Sequence, residues 1–466
     1  MFATQTQVVL DFCVVGGSIG GLCAAYWLRQ AGHKVAVLER HEIDVFQNRK
    51  FCGVRIPPNI TRLFKDIPGM EEMFEDKGSL NLGTLFYQGE TSELVGRMLF
   101  EEEMMADLGS KFYRVSYSDI WNHLYKTCRS YDINFKFNCR VESITLKASN
   151  EPNHSPRLRC STGEEVICDM IIAADGHNST VRKYFLNDLL SIQDSDSDIE
   201  RDEVSHFPEL SQWATCRLSI PIEEMKKDPE LRFFAKNNLW IVWMGNGVVH
   251  NGGQDGSDQY SISTMYNKRP SSDEDKDWDI VTPTPLSTKE IEETVCEPRL
   301  KKLLKLASSC HRSNQKPYKL VRYINQTYQV VFIGDAAHAA VVNGPQNTAI
   351  AVEDAFTLGY LFSKMVSRDH ISLLLKGFNE IRQKRANMIR TSDFEFLHIL
   401  CFPPGPERDA RNAAFSQTLQ KETIPDEVLA QMWDAFLVQC NYDAQHAVEE
   451  WWHTWGRLMQ IVENTV

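Results

Sequence analysis

Asp11-Phe12-Cys13-Val14-Val15-Gly16-Gly17-Ser18-Ile19-Gly20-Gly21, with Lys34-Val35-Ala36-Val37-Leu38-Glu39 after it, decides the fold. The first apolar run makes a buried strand. A cluster of glycines then gives a tight turn. Gly21 to Ala31 carries the small and apolar residues of a closely packed helix, and Gly32 stops it. The second apolar run is the next strand, so residues 10–40 form a βαβ opening. Gly16 serves the bend, Ser18 stands where backbone must approach a pyrophosphate, and Gly21 stands where helix meets strand. The helix start offers free N–H groups and a positive dipole end to phosphate. Glu39 lies about twenty residues past the turn, where a carboxylate accepts hydrogen bonds from ribose hydroxyls, and Arg40 stands beside it. The acid disfavours a 2′-phosphate. The spacing predicts a dinucleotide site and leaves NAD and FAD both open.

Two later segments narrow the choice to FAD. Cys168-Asp169-Met170-Ile171-Ile172-Ala173-Ala174 is a buried strand running into Asp175-Gly176, with Arg182 on the next helix. Val330-Val331-Phe332-Ile333-Gly334-Asp335 is another strand ending in a small residue and an acid. An Asp there can bind a ribityl hydroxyl, and Ala336 and Ala337 leave room for a large planar ligand. Asn343-Gly344-Pro345-Gln346-Asn347 opens a helix through Ala351, Ala355 and Leu358, and proline suits a helix start. A helix N-terminus aimed at a flavin pyrimidine stabilises the negative charge of the reduced ring. Taken singly, an Asp-Gly turn and a plain helix start explain these segments as well. Their order and separation favour FAD.

Composition sets outer bounds. The chain has 466 residues, enough for two or three domains, and 42% are hydrophobic. Lys plus Arg number 50 against 63 Asp plus Glu, a net charge of −13, which argues against a nucleic-acid partner. No apolar run has the length of a membrane span, and no Lys or Arg precedes Arg29 to make the basic start of a signal peptide. Twelve cysteines without a CxxC pair or a His/Cys cluster predict free buried thiols, no metal site and a cytoplasmic protein.

The segments 188–203, 251–258 and 271–279 are acidic or rich in Gly, Ser and Asp and predict solvated loops. They flank strand-like stretches at 213–220, 239–244 and 259–266. The last seventy residues are helical in pattern, and Trp433, Trp451, Trp452 and Trp455 predict a packed layer there. The expected fold class is α/β, a Rossmann-like FAD-binding domain with an inserted β-sheet substrate domain and a C-terminal helical layer. The expected FAD-binding domain is discontinuous, over 1–85, 110–187 and 318–395. The sheet domain takes 86–109 and 188–317, and the helical region 396–466.

With these residues in view, the chain resembles the single-component FAD-dependent aromatic hydroxylases, the group that includes salicylate and hydroxybenzoate hydroxylases. Phe51-Cys52-Gly53-Val54-Arg55-Ile56-Pro57-Pro58-Asn59 is similar to that family's segment beneath the flavin. Tyr113-Arg114-Val115-Ser116-Tyr117-Ser118-Asp119-Ile120 is similar to its FAD-contacting Arg and following helix. Ala174 to Arg182 resembles its second motif, implicated in FAD and NAD(P)H binding. Gly334 to His338 and Glu353-Asp354-Ala355 bracket the third. Pro403 to Arg408, and Tyr442-Asp443-Ala444 with Trp451 or Trp452, resemble the salicylate-hydroxylase branch. The chain departs from the pattern over the flavin. The family's Pro, then Gly-Gln-Gly and Asn, are replaced by Val342, Pro345-Gln346-Asn347 and Ala349. Trp213 stands where some relatives place a catalytic His.

The resemblance implies that NADPH or NADH reduces FAD. O2 then forms a flavin C4a-hydroperoxide, which attacks an electron-rich aromatic ring. The expected substrate is a phenolic or aromatic acid of the salicylate, hydroxybenzoate or vanillate kind, with oxidative decarboxylation included, acted on by a monomer or homodimer. A proton acceptor helps, because a phenolate reacts better than a phenol. His250 and Tyr260, with Tyr266 and His206 nearby, are candidates for base or hydrogen-bond donor, or are residues satisfied within the sheet. Arg217 either holds a substrate carboxylate or pairs with an acid, Pro345 belongs to the catalytic set, and His338 reads as structural. One alternative keeps the cofactor and makes the enzyme an epoxidase or hydroxylase of secondary metabolism. Another is a flavin-binding redox protein without hydroxylation.

Overall fold

The computed structural model describes residues 6–49, 53–146, 155–191, 204–206, 213–267, 286–307, 310–314, 318–339, 344, 346–419, 433, 434 and 436–456. The opening motif folds as β1 (Asp11–Val15), α1 (Ile19–Gln30) and β2 (Lys34–Leu38). The chain continues through β3 (Gly53–Ile56), β4 (Gly83–Gln88), β5 (Leu94–Leu99), β6 (Tyr113–Ser116), α2 (Tyr117–Ser130) and β7 (Asn134–Lys136). Then come β8 (Met170–Ala173) and α3 (Thr180–Ser191). A parallel sheet in the order β14-β8-β1-β2-β7, with β14 at Val330–Phe332, collects the three motif strands side by side. Val15 lies opposite Ala173, and Ala173 opposite Phe332, so the three segments turn away from the sheet at one edge. Ligands of open α/β sheets bind at this carboxyl edge.

The second sheet is largely antiparallel and has seven strands. Its later members are β9 (Ala214–Pro221), β10 (Trp240–Met244), β11 (Val248–Asp255), β12 (Gln259–Tyr266) and β13 (Cys310–Asn314), and its order is β13-β9-β12-β11-β10-β4-β5. One face packs Leu218, Ile241, Trp243 and Ile262 against the short helices Ile222–Lys227, Arg232–Lys236 and Pro298–Leu306. The other packs Phe86, Val242, Met244, Val249 and Met265 against Leu397, Leu400 and Cys401. Beyond β14 come α4 (Asp335–His338), α5 (Asn347–Ser363), α6 (Ile371–Leu400) and α7 (Ala444–Trp451). The α/β class, the inserted sheet and the helical layer are as expected. The boundary expected at 395/396 falls inside α6.

Two local expectations are corrected. Residues 251–255, read as loop from their Gly and Asp content, belong to β11. The glycines are there because side chains lie against the backbone. A Cβ on Gly253 would stand 1.8 Å from an Arg114 guanidinium nitrogen, and one on Gly252 would stand 2.8 Å from the Tyr260 hydroxyl. Cys216 and Cys310, expected as free thiols, form a disulfide between β9 and β13. Segments 192–203 and 271–279 lie outside the described residues. Among the described residues no helix is long and apolar enough to cross a membrane.

Candidate active site

Gly16 leaves β1 with φ +109°, and a Cβ there would lie 2.3 Å from the Ala174 carbonyl oxygen. A Cβ on Gly21 would lie 1.9 Å from the Gly16 carbonyl oxygen. Strand end and helix start therefore meet with no side chain between them. Glu39 is buried and reaches across this turn. Its Oε2 accepts from the Gly17 N–H at 2.7 Å and its Oε1 from the His41 N–H at 2.8 Å. The Ser18 hydroxyl pairs with the Tyr117 hydroxyl at 2.8 Å. These groups open onto a cavity of about 560 Å³, lined among others by Gly16, Ser18, Glu39, Arg40, Asp175 and Gly176. Asp175 Oδ2 caps α3, accepting from the Thr180 N–H at 2.6 Å and the Val181 N–H at 3.2 Å. Its Oδ1 is buried with no hydrogen-bond partner among the described residues, and burial raises the carboxyl pKa. A bare-backbone cradle beside a waiting acceptor fits a dinucleotide with hydroxyls to donate.

The third motif is held from behind by charges. The Gly334 N–H donates to Asp354 Oδ2 at 2.8 Å, and His338 Nε2 lies 2.6 Å from the same oxygen. Arg382 Nε donates to Asp354 Oδ1 at 2.7 Å, and its Nη2 to Glu353 at 2.9 Å. Arg385 also pairs with Glu353, at 3.0 Å. Burial would raise the Asp354 carboxyl, but His338 and Arg382 outweigh it and hold it at about 2. Asn59 donates to Glu353 at 2.7 Å and to Gln346 at 2.9 Å, so the buried Gln346 side chain belongs to this network. His338 is placed as a structural residue. Asp335 is exposed on the first turn of α4.

On the second sheet Arg217, Ser263, Asn251 and Val242 stand side by side on neighbouring strands, continued by His311 at one end and Phe86 at the other. Cross-strand neighbours share a face. Along this rank, His311 lines the large cavity. Arg217 and Ser263 line a second cavity of about 110 Å³, with Arg55, Arg114, Trp240 and Asn347. Asn251, Val242 and Phe86 line a third of about 120 Å³, walled also by Phe100, Phe112, Trp240, Phe396 and Phe436. Arg55, Trp240 and Gly344 border both smaller cavities. Arg114 pairs with Asp255 at 2.6 Å, and both Arg114 and Arg55 lie within 5 Å of the Trp240 ring, at 4.5 and 4.8 Å. Burial lowers the Arg55 pKa to about 10.

His250 and Tyr260 are corrected in placement. They alternate onto the opposite face of the sheet, with Trp243 and Ile262, and line none of these cavities. His250 Nδ1 is 2.7 Å from the Thr264 hydroxyl, and burial lowers its pKa to about 4. Burial likewise raises the Tyr260 phenol. His206 lies on a short strand paired with Tyr318–Leu320, and Tyr266 ends β12 half-buried. Pro345 lies outside the described residues. The sequence reading missed Asp393, an acid in the wall of the third cavity. The signal was available: Asp393 interrupts the apolar stripe Ile389, Leu397 and Leu400 at helical spacing.

Residues 9–197 match the family model described as FAD binding domain. Hispidin-3-hydroxylase from Neonothopanus nambi is 22% identical over 416 residues, covering 84% of this chain and 89% of that protein. Among solved structures, CtdE in complex with FAD and substrate superposes with a TM-score of 0.73 at 16% identity, over 97% of this chain and 100% of that one. A salicylate hydroxylase substrate complex gives 0.69 at 18% identity, over 94% and 97%.

Proposed function

We propose, for a chain that is an FAD-dependent monooxygenase with the aromatic-hydroxylase fold, that it uses NAD(P)H and O2 to hydroxylate a phenolic or aromatic acid ring seated in the third cavity. The observation that carries this reading is the ring-lined cavity itself. Six aromatic side chains, Phe86, Phe100, Phe112, Trp240, Phe396 and Phe436, wall a space that adjoins the second cavity through Arg55, Trp240 and Gly344. FAD, when bound, supplies electron transfer from the nicotinamide and activation of O2. The protein binds, orients and keeps dry. Gly16, Ser18, Gly21, Glu39, Arg40, Asp175 and Gly176 take the dinucleotide end, and Asp335 takes the ribityl chain. Arg55, Arg114 and Asn347 border the flavin ring, with Arg217 at the rim. Gln346 supports the turn from behind. The aromatic walls exclude water from the reacting carbon. The likeness to hispidin-3-hydroxylase favours a second reading with the same chemistry, a hydroxylase or epoxidase of secondary metabolism.

Anaerobic stopped-flow reduction tests the proposal. NAD(P)H should reduce the flavin slowly alone. Salicylate, a hydroxybenzoate or vanillate should accelerate it at least about tenfold, equivalent to about 1.4 kcal/mol of barrier. Product mass should rise by one oxygen, less CO2 where a carboxyl leaves. A panel that neither speeds reduction nor gains oxygen removes the aromatic-acid reading and advances the secondary-metabolism one.

Glu39→Gln should weaken FAD binding by about 1.5–3 kcal/mol, the scale of a charge-assisted hydrogen bond. Equilibrium flavin titration reads this directly. An unchanged dissociation constant means that the carboxylate serves only the Gly17 and His41 amides.

A further inference from the structure

The wall of the third cavity holds a carboxylate that the roles above leave unused. Asp393 sits on α6, is 7% exposed and lines the cavity beside Arg55, Trp240 and Asn251. Its Oδ2 is buried, and among the described residues no donor reaches it. Buried carboxylates are ordinarily paired, and the helix positions above and below this one are filled by Ile389 and Leu397. An apolar residue would pack here at lower cost. The carboxylate also touches the segment that leads into α5: a Cβ on Gly344 would stand 1.7 Å from Asp393 Oδ2. That segment is the one read from the sequence as lying over the flavin.

We propose that Asp393 is the proton acceptor for a phenolic hydroxyl of the substrate, with Arg55 stabilising the phenolate oxygen. The assignment rests on the phenolic reading given above. The substrate O–H bond breaks, its proton passes to Asp393 Oδ2, and the electron pair stays on the ring oxygen. This raises electron density at the ortho and para carbons, where an electrophilic oxygen attacks. The neutral acid returns the proton to solvent when product leaves.

The charged groups acting on Asp393 are Arg55 from β3 and Arg385 from its own helix, while Trp240, Val242 and Asn251 on the sheet side are uncharged. Burial pushes the carboxyl up to about 7 against those two cations. A base of that strength is half-ionised near neutrality, where general-base catalysis is most effective.

The test uses flavin-loaded wild type and Asp393→Asn, with flavin content as the check on folding. The first probe is 4-nitrophenol, whose phenolate is coloured, bound at a pH below its own pKa. Wild type should raise the ionised fraction of bound phenol at least about threefold over the variant. The second readout is the pH profile of phenol-dependent NAD(P)H oxidation. The variant should lose about 100-fold at pH 6.5, within the usual range for losing a general base, and recover as pH rises toward the phenol's own pKa. A purely structural role for Asp393 would give no such recovery. Equal ionisation in both proteins, or a parallel pH profile, overturns the assignment and leaves the phenolic reading standing. Failure of every phenol to bind wild type removes that reading, and the assignment with it.

Discussion

Gly16→Ala is expected to purify without flavin. The added methyl would stand 2.3 Å from the Ala174 carbonyl oxygen and 2.9 Å from the Asp175 amide nitrogen, at φ +109°. Both neighbours are backbone, so no rotamer change relieves the contact. The positive φ alone costs a side chain about 1–3 kcal/mol, and the clash takes the total to roughly 4 kcal/mol or more. If that cost falls on the nucleotide-binding conformation, affinity drops by about a thousandfold. Gly163→Ala, outside the three cavities, is the matched control. It also has positive φ, at +81°, but beyond its chain neighbours no heavy atom of the described residues lies within 4 Å of its added methyl. It should cost about 1 kcal/mol and retain most of its FAD. Flavin-to-protein absorbance ratios separate the two, and similar ratios would sink the cradle argument.

Arg382→Met should cost about 3–5 kcal/mol of folding stability, the usual penalty for stranding buried charge. The guanidinium bridges Glu353 and Asp354, and all three side chains are buried. Arg385 still serves Glu353, so the loss falls chiefly on Asp354 and, through it, on the Gly334 turn. The pH dependence has a definite sign. The Asp354 carboxyl is held at about 2, below its ordinary value of 3.8. Its contribution is present above pH 3.8 and is lost as pH falls through 2. The deficit of the variant should therefore be full at pH 7 and shrink in acid. Urea midpoints at pH 7 and at about pH 2.5, inside the window where the contribution is lost, measure both effects, and a loss below about 1 kcal/mol at pH 7 would show that the network is dispensable.

The opening motif was legible because steric demands at Gly16 and Gly21 and the reach of Glu39 are local and have fixed spacing. The sheet was harder. Strand parity follows from alternation, but which parity meets the cofactor depends on strands far away in sequence. That is why His250 and Tyr260 were expected at the site and are found on the helix-covered face. Asn251-Gly252-Gly253 reads as a loop until Arg114 and Tyr260 are seen lying on it. Arg114 itself reads as a cofactor contact, and Asp255 and Trp240 of the seven-stranded sheet hold it. Asp393 is a single acid in a long helix. Only the fold brings it to the ring-lined cavity, more than 300 residues from Arg55 by sequence number.

The rank of side chains across the seven-stranded sheet suggests how this catalyst could be retooled. Its Arg217 end lines the second cavity, while Phe86, Met98, Val242 and Met265 line only the ring-lined third cavity of the three. Phe86 and Val242 end the rank there, and Met98 and Met265 line the same cavity beside them, so the four form a plastic wall. Trimming Met98 or Met265 there enlarges the chamber for a bulkier ring and leaves the cradle at Gly16 untouched. Libraries confined to that wall would sample new substrates on a fixed redox engine.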